Sequence, residues 1–406
     1  MNCRFCKEPL TVSFCDLGKT PLSNSYLNKN QLEEKELSFD LHAYVCSSCL
    51  LVQIGEFEKP ENIFSDYAYF SSYSTTWLEH AKKYVEAMVT KLQLTEKNLV
   101  IEVASNDGYL LQYFRDHRIP ILGIEPAKNV AEVAESKGIP TISEFFGVSL
   151  AQQLVKQGKR ADLLLGNNVL AHVPDLNDFV EGMKIVLSPQ GIITLEFPHL
   201  LQLFLHRQFD TIYHEHFSYF SLFTLQKVFA AHQLDIFDVE ELATHGGSLR
   251  IYVQHADGTK KHSGNITSVL AKESTAGLHD LSTYTRFQEE ANLVKRELLK
   301  FLLKAKQEGK KVAAYGAPAK GNTLLNFCGV TTDLLPYTVD ISPHKQGRYL
   351  PGTKIPIYAP GQVSENKPDY ILILPWNLQN EIMDQMKHVR EWGAQFVVPI
   401  PELIVT

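Results

Sequence analysis

Residues 98–198 alternate between short apolar runs and stretches with helical spacing. The apolar runs NLVIEVAS, IPILGIEP, PTISEFF, ADLLLGNN and GIITLEFP have the length and composition of buried strands. Between them lie YLLQYFRDH, AKNVAEVAESKG, SLAQQLVKQG and DLNDFVEGMKIVL, in which apolar residues recur every three or four positions. This order predicts a doubly wound parallel sheet, in which a ligand binds at the carboxyl ends of the strands.

A second α/β alternation occupies residues 311–400, after a long amphipathic helix predicted near 278–307. The spacing also predicts a helix over 76–92, which the capping sequence STT precedes. We therefore expect the fold class to be α/β, with two Rossmann-like, doubly wound domains that face one another across a cleft.

Two Cys-x-x-Cys pairs lie close to the start of the chain, and each can turn both of its sulfurs toward one point. Two such pairs together make a tetrahedral thiolate site for zinc. Chance spacing or a redox pair is the alternative, because the interval between the pairs is longer than in the commonest zinc ribbons. A closed four-sulfur site has no open coordination position, so we interpret this zinc as structural. The predicted ligands are Cys3, Cys6, Cys46 and Cys49.

Composition and charge exclude several classes of function. The chain of 406 residues has a net charge of −7, whereas nucleic-acid binding requires a basic surface. No apolar stretch approaches the roughly 18 residues of a membrane-spanning helix, and the first residues, MNCRFCKEPL, contain no apolar signal core. We expect a cytoplasmic enzyme with no nucleic-acid partner and no membrane anchor. Nothing in the sequence predicts an oligomeric state.

The turn ASNDG follows the first predicted strand of the 98–198 block, where a nucleotide-like cofactor meets such a sheet. Glu125 lies about 20 residues further on, at the end of the second strand, where a carboxylate can accept hydrogen bonds from a ribose diol. The turn lacks the G-x-G-x-x-G pattern that cradles a pyrophosphate, which favours S-adenosylmethionine over a dinucleotide. A plain α/β domain with polar loop ends is the alternative. The predicted cofactor contacts all lie at strand ends: Glu102, Ala104, Ser105, Asn106, Gly108, Glu125, Pro126, Asn167, Asn168 and His172.

The segment YHEH contains Tyr213, His214, Glu215 and His216, and aromatic residues flank it on both sides. These groups suit acid–base chemistry, because a neutral imidazole transfers protons efficiently near neutral pH. A metal site is disfavoured, since the two histidines lack the i, i+4 spacing of helical zinc sites. On an extended backbone the two histidines point the same way, whereas in a helical turn Tyr213 and His216 share a face.

Seven features occur in one order along the chain: the cysteine pairs, ASNDG, GIEP, GNNVLAHVPD, YHEHFSYFS, HGGSLR and AYGAPAKGNTLLN. In this combination the chain resembles, over essentially its whole length, the three-domain sugar-nucleotide C-methyltransferases of deoxysugar pathways. The resemblance implies three domains, and we expect a connecting region between the second and the third, which divides the chain into four parts. They are a zinc-binding module at 1–66, an S-adenosylmethionine-binding Rossmann-like domain at 67–200, a catalytic connecting region at 201–300 and a C-terminal Rossmann-like sugar-nucleotide-binding domain at 301–406.

The resemblance also implies roles for the YHEH segment, with His216 as the base and Tyr213 and Glu215 as assisting groups. The chemistry agrees, because a sugar carbon becomes a nucleophile only when a proton is removed beside a ketone. We expect Glu215 to orient the imidazole or to accept a sugar hydroxyl, and Tyr213 to contact the enolate or the sugar. His214 is a second candidate for the base.

Six residues are candidates to bind a nucleotide-diphosphate ketosugar. Tyr67 lies in an aromatic stretch that either covers a pocket or packs between domains. Lys320 lies in a strand-to-helix turn, whose free N–H groups can hold a diphosphate. For each basic residue a solvated surface charge is the alternative. The full set is Tyr67, Arg250, Lys320, Asn322, Asp340 and Arg348.

Together these features predict a C-methyltransferase that acts on a nucleotide-diphosphate-linked 4-keto-deoxysugar and uses S-adenosylmethionine and structural zinc. One alternative is a sugar O-methyltransferase, which does not need to form a carbanion. The other is a non-catalytic zinc-ribbon binding protein whose α/β domains have no affinity for S-adenosylmethionine.

Overall fold

The computed structural model describes residues 1–56 and 70–406. Three sheets, of four, seven and six strands, organise this part of the chain. None of the described helices combines the length and the apolar character that crossing a bilayer requires.

An antiparallel sheet of four strands forms the N-terminal unit. In spatial order its strands are β1 (Val12–Thr20), β2 (Phe39–Val45), β3 (Val52–Ile54) and β9 (Ser218–Tyr219). The fourth strand comes from the YHEHFSYFS segment, far along the chain. The predicted catalytic segment therefore shares a sheet with the unit that contains the cysteines.

Seven strands form the central sheet: β4 (Val100–Val103), β5 (Ile121–Ile124), β6 (Thr141–Ile142), β7 (Ala161–Asn167), β8 (Leu187–Pro198), β10 (Leu234–Leu242) and β11 (Ser248–His255). Their order is β10-β11-β8-β7-β4-β5-β6. Strands β4 to β8 are parallel, as predicted, and β11 runs antiparallel to both β8 and β10.

The central sheet extends beyond the expected domain boundary at residue 200. Strands β10 and β11 belong to it, although both lie in the stretch 201–300 that we expected to be a connecting region. The HGGSLR motif forms the turn before β11 and the beginning of that strand. Periodicity indicates a pair of strands here, but the partner of a strand depends on long-range packing that periodicity does not encode.

Alternate residues of the central strands pack into different hydrophobic clusters, which is why the strands read as continuous apolar runs. In β4, Ile101 and Val103 join one cluster and Val100 joins the other. Ser74 caps the first described helix, as predicted, and its hydroxyl accepts a hydrogen bond from the N–H of Trp77. The helices of this region are α1 (Thr75–Leu92), α2 (Leu111–Asp116), α3 (Lys128–Ser136), α4 (Val148–Lys156), α5 (Leu176–Val186), α6 (Leu200–Leu205), α7 (Leu222–Ala231) and α8 (Gly264–Thr275).

The C-terminal sheet has the order β14-β13-β12-β15-β16-β17, and only its last pair is antiparallel. Its strands are β12 (Val312–Tyr315), β13 (Thr338–Val339), β14 (Ile357–Tyr358), β15 (Tyr370–Ile373), β16 (Gln395–Val398) and β17 (Ile404–Val405). The helices here are α9 (Leu281–Tyr284), α10 (Phe287–Gln307), α11 (Ala319–Cys328), α12 (Gly361–Asn366) and α13 (Gln379–Gln385). The prediction of two Rossmann-like domains is thus confirmed.

The N-terminal unit packs against both of these domains. Phe14 of β1 stacks on Phe287 of α10, with ring centroids 4.6 Å apart, inside a cluster that includes the C-terminal strands. On its other side, Cys3, Cys46 and Cys49 join the hydrophobic cluster of the central sheet. This unit therefore fixes the predicted catalytic segment relative to both larger domains.

Candidate active site

The four predicted zinc ligands come together. Their sulfur atoms all lie within 4.8 Å of one another, and three of the four cysteines are buried. Sγ atoms are 3.6 Å apart for Cys3 and Cys49 and 3.4 Å apart for Cys6 and Cys46. Four converging thiols match the tetrahedral ligand set of structural zinc, with no position left for a substrate.

Arg4 connects this cysteine cluster to the rest of the site. Its two terminal nitrogens donate to the backbone oxygens of Pro174 and Ile54, both at 2.6 Å. Its guanidinium also lies over the ring of Phe217, 5.3 Å from the centroid. Arg4, which directly follows Cys3, therefore contacts both the loop after β7 and the residue that follows His216.

Three residues of the turn after β4 adopt left-handed backbone conformations. Ala104, Asn106 and Gly108 have positive φ angles of 57°, 49° and 76°. A Cβ atom on Gly108 would lie 2.8 Å from Cγ1 of Ile139, so only glycine fits there. Ser105, between the first two, is fully buried.

Two carboxylates lie at this edge of the central sheet. Glu102 is fully buried, and neither of its carboxylate oxygens has a hydrogen-bond partner among the described residues. Glu125 accepts hydrogen bonds from the N–H groups of Asn106, at 3.0 Å, and Ala127, at 2.9 Å. Burial raises the pKa of both carboxyl groups. Buried acceptors of this kind fit the ribose and the positive charge of S-adenosylmethionine, and Pro126 directly follows Glu125.

The loop after β7 brings its polar residues to two places. The side-chain amide of Asn167 donates to the hydroxyl of Tyr109 at 3.4 Å, next to the turn after β4. Asn168 has φ of 55°, and its side-chain nitrogen lies 3.0 Å from Nε2 of His245. His172 lies instead against the predicted base.

His216 is held in one tautomer by two hydrogen bonds. Its Nδ1 lies 3.0 Å from the backbone oxygen of Thr211, which can only accept, so Nδ1 carries the proton. Its Nε2 therefore has a free electron pair, which accepts from the hydroxyl of Tyr213 at 2.8 Å. The ring of His172 packs edge-on against that of His216, with centroids 4.7 Å apart.

Burial keeps both of these imidazoles neutral. It lowers the pKa of His216 well below its usual range, and the neighbouring His172 lowers it further. Burial also lowers the pKa of His172, to about 4. A neutral imidazole with a defined lone pair is the form that a general base requires.

The two histidines of the YHEH segment face different surroundings. The backbone turns at this point, and the N–H of His216 donates to the oxygen of Tyr213 at 2.9 Å. His214 packs edge-on against Phe39 of the N-terminal sheet, with centroids 6.0 Å apart. Tyr213 and His216 therefore share a face, as a helical turn predicts, and His214 points away from both.

Glu215 does not orient the imidazole, since Thr211 takes that role. Its Oε1 instead accepts a hydrogen bond of 2.6 Å from the side-chain amide of Asn24, in the N-terminal unit. Burial raises the pKa of Glu215 to about 7. The carboxyl group is thus poised to change charge close to neutral pH.

Lys320 lies where α11 begins, at the carboxyl end of β12. Its ammonium group donates to Oδ1 of Asn377 at 2.8 Å and lies 4.3 Å from the ring centroid of Trp376. The indole N–H of Trp376 in turn donates to Asp210 at 2.7 Å. The half-buried cation belongs to a connected group rather than to a solvated surface.

Two further predicted substrate contacts lie beside this group. Asn322 is buried and donates to the backbone oxygen of Ser23 at 2.6 Å, and its Oδ1 has no partner among the described residues. Asp340 accepts from the N–H groups of Ala317 and Ser342, both at 2.8 Å. Its carboxylate therefore shapes the turn before α11.

Arg250 does not join this group. Arg250 is buried and donates to Glu196 at 2.6 Å and to Glu240 at 2.8 Å, so an external phosphate would have to displace a carboxylate. We expected a ligand-binding arginine here, but internal ion pairs already satisfy its charge. Arg348 is exposed to solvent, and Tyr67 lies outside the described residues.

Glu196, near the end of β8, was not predicted as a site residue. It lies at the carboxyl edge of the central sheet. It is fully buried and also accepts from His80 at 2.9 Å and from Thr244 at 2.8 Å. Burial would raise the pKa of Glu196, but the hydrogen bond from His80 and the charge of Arg250 lower it to about 2. Its place in GIITLEFP, at a predicted strand end, is the signal that would have identified it, as it identified Glu102 and Glu125.

Comparison with known protein families matches three consecutive parts of the chain. Residues 3–64 match a family of zinc binding domains, residues 77–239 match a methyltransferase domain, and residues 243–401 match the C-methyltransferase C-terminal domain. The first match contains all four clustered cysteines.

One of the individual proteins that match aligns with nearly the whole chain. The C-methyltransferase NovU of Streptomyces niveus is 35% identical over 401 residues, which cover 99% of this chain and 96% of that protein. A ubiquinone biosynthesis O-methyltransferase of Bartonella tribocorum is 23% identical over 95 residues, which cover 23% of this chain and 38% of that protein. The crystal structure of magnesium protoporphyrin IX methyltransferase from Synechocystis PCC 6803 aligns with a TM-score of 0.34 and 14% identity, over 43% of this chain and 78% of that one. That score is too low to support any conclusion.

Proposed function

The chain belongs to the C-methyltransferase family, and on that premise we propose that it methylates the carbon beside the ketone of a nucleotide-diphosphate-linked 4-keto-deoxysugar. The family membership makes it an S-adenosylmethionine-dependent C-methyltransferase with a zinc-binding N-terminal domain. The ordered motifs that resemble deoxysugar enzymes support the sugar as substrate. Cytoplasmic location and the lack of a nucleic-acid partner stay predictions from the sequence.

The observation that carries the mechanism is the fixed, neutral imidazole of His216. Its Nε2 takes the proton from the carbon beside the ketone, and the electron pair of that C–H bond forms an enolate. Thr211 holds the other ring nitrogen through the hydrogen bond at Nδ1 and so stabilises the orientation of the imidazolium that forms. General-base catalysis of this kind contributes about 10²–10⁴-fold.

Tyr213 has two successive roles. Its hydroxyl donates to Nε2 of His216, and an enolate oxygen is a stronger acceptor than an imidazole nitrogen. As negative charge develops on the sugar oxygen, the phenol turns toward it, which stabilises the enolate and frees Nε2 for the proton. Burial then favours release of that proton, because it lowers the pKa of His216.

The central sheet provides the cofactor contacts. When bound, S-adenosylmethionine would supply an electrophilic methyl group, with a neutral thioether as the leaving group. Glu125 would bind the ribose hydroxyls and Glu102 would face the positive charge, since both are buried acceptors at adjoining strand ends. Zinc on the four cysteines would hold the N-terminal unit, and hence the catalytic segment, in place.

Incubation with methyl-labelled S-adenosylmethionine and a panel of nucleotide ketosugars in D₂O tests this proposal. We expect NMR to locate the new methyl group on the carbon beside the ketone. Deuterium should enter that position from solvent in an enzyme-dependent reaction when the cofactor is omitted. A methyl group on oxygen would contradict the mechanism. Methylation of a ketosugar without any deuterium exchange at the carbon beside the ketone would contradict it as well.

A further inference from the structure

A short segment of the N-terminal unit, residues 21–27, lies between the YHEH segment and the C-terminal domain. Asn322 of α11 donates to the backbone oxygen of Ser23 at 2.6 Å. The hydroxyl of Tyr26 donates to the backbone oxygen of Ala317 at 2.6 Å. Between these two anchors, the side-chain amide of Asn24 donates to Glu215, and its Oδ1 lies 3.4 Å from the hydroxyl of Tyr26.

We propose that Asn24 is a positioning residue that holds Glu215 in the site as a carboxylate, ready to accept a hydrogen bond from a sugar hydroxyl. This inference rests on the function proposed above. It assigns a part in the reaction to the N-terminal unit, in addition to its metal-binding and structural role.

The geometry of the contact favours the charged form of Glu215. The side-chain nitrogen of an asparagine can only donate, so Oε1 of Glu215 must accept across the 2.6 Å contact. A donated hydrogen bond stabilises a carboxylate more than a carboxylic acid. Burial acts in the opposite direction and raises the pKa of Glu215 to about 7, so the contribution of Asn24 decides how much carboxylate is present near neutral pH.

The other titratable groups around Glu215 do not replace this contact. The phenol of Tyr26 lies close by, but its hydroxyl donates to the backbone oxygen of Ala317 and also lies 3.4 Å from Oδ1 of Asn24, not against the carboxylate. His172 contacts the backbone of Glu215 rather than its carboxylate. The rings of His214 and His216 face Phe39 and Tyr213.

The matched variants are Asn24→Leu, Asn24→Asp and Tyr26→Phe. Leucine keeps the bulk of asparagine and removes its donor, while aspartate keeps the shape and adds a like charge. Tyr26→Phe removes an anchor of the same segment, together with the 3.4 Å contact to Oδ1 of Asn24, and keeps the amide N–H groups that donate to Glu215. Thermal unfolding and circular dichroism establish whether each variant folds. If the leucine variant does not fold, Asn24→Asp takes its place in the test.

The measurement is the pH dependence of kcat/KM. Without the hydrogen bond the pKa of Glu215 rises, so the acid limb should move to higher pH by about one unit in Asn24→Leu. It should move further in Asn24→Asp and stay in place in Tyr26→Phe. At high pH the kcat/KM of Asn24→Leu should return to within about threefold of wild type, with affinity for S-adenosylmethionine unchanged.

A direct titration of Glu215 separates this inference from the proposed function. Isotope-edited infrared spectra, with Glu215→Gln used to assign the carboxyl band, report its protonation without turnover. A shift of that band in Asn24→Leu supports the inference even if no ketosugar is methylated. An unshifted band, a loss of activity that is equal at every pH, or an equal shift in Tyr26→Phe would overturn it.

Discussion

The central and C-terminal sheets share one topology but differ in the chemistry at their carboxyl edges. In each, the first five strands have the order third, second, first, fourth, fifth, and further strands extend the edge beyond the fifth. The central sheet ends its strands in buried carboxylates, namely Glu102, Glu125 and Glu196. The C-terminal sheet presents the start of α11, with Lys320.

Under the proposed function, this difference would let one backbone arrangement serve two kinds of ligand. Strand order fixes where a crevice opens, and the side chains at the strand ends decide what it binds. A carboxylate-lined edge suits a cofactor with a ribose diol and a positive charge. A helix start with a lysine suits the phosphates of a nucleotide sugar. Variants that affect one ligand and leave the other unchanged therefore test the comparison.

The largest effect is expected from His216→Asn, because the proposed base lies in the YHEH turn and not at a strand end of the central or the C-terminal sheet. We expect kcat to fall by about 10²–10⁴-fold, while the dissociation constants of both ligands stay within about twofold. Steady-state kinetics and calorimetry check this. His214→Asn is the matched control, since His214 packs on Phe39, and an equal loss of kcat in that variant would contradict the assignment.

Glu125→Ala should weaken S-adenosylmethionine binding by about 10–100-fold, because a buried carboxylate that accepts from a ribose contributes two hydrogen bonds. The affinity for the nucleotide sugar should not change. Glu135→Ala, on the exposed side of α3, is the control, and calorimetry with each ligand gives both constants. Equal weakening of both ligands would show that the two edges form a single site.

Lys320→Met should weaken binding of a nucleoside diphosphate by about tenfold and leave S-adenosylmethionine binding unchanged. The lysine is half-buried beside Trp376, so its charge is less screened than that of a surface lysine. Lys300→Met, on the exposed face of α10, provides the comparison. Competition binding in increasing salt measures the difference, and identical affinities for the two variants would remove Lys320 from the site.

The smallest effect on the affinity for either ligand is expected from Asp210→Asn. Asp210 lies at the junction of the central and C-terminal domains. Burial raises the pKa of Asp210 from its ordinary 3.8 to about 6. The folded state thus holds this proton more tightly than the unfolded chain, which favours folding below pH 3.8, and the advantage is lost as the pH rises through 6. Wild type should lose stability relative to the variant between these values, as urea unfolding at several pH values would show. A constant difference across that range would mean that Asp210 does not titrate there.

Most of the cofactor edge could be predicted from local patterns. The apolar runs located the strands, and the polar residues that end them had to lie at one edge because parallel strands finish together. The structure brings Glu102, Asn106 and Glu125 together for this reason. The same rule applied to GIITLEFP would have added Glu196.

The sequence by itself determined the zinc ligands, the two α/β blocks and the residues that end their strands, because spacing and periodicity are local properties of the chain. Only the tertiary structure decided that His216 rather than His214 faces Tyr213, that Arg250 is held in internal ion pairs, and that Glu215 pairs with Asn24, 191 residues away. These contacts depend on how distant segments pack, and packing between segments leaves no periodic trace in the sequence.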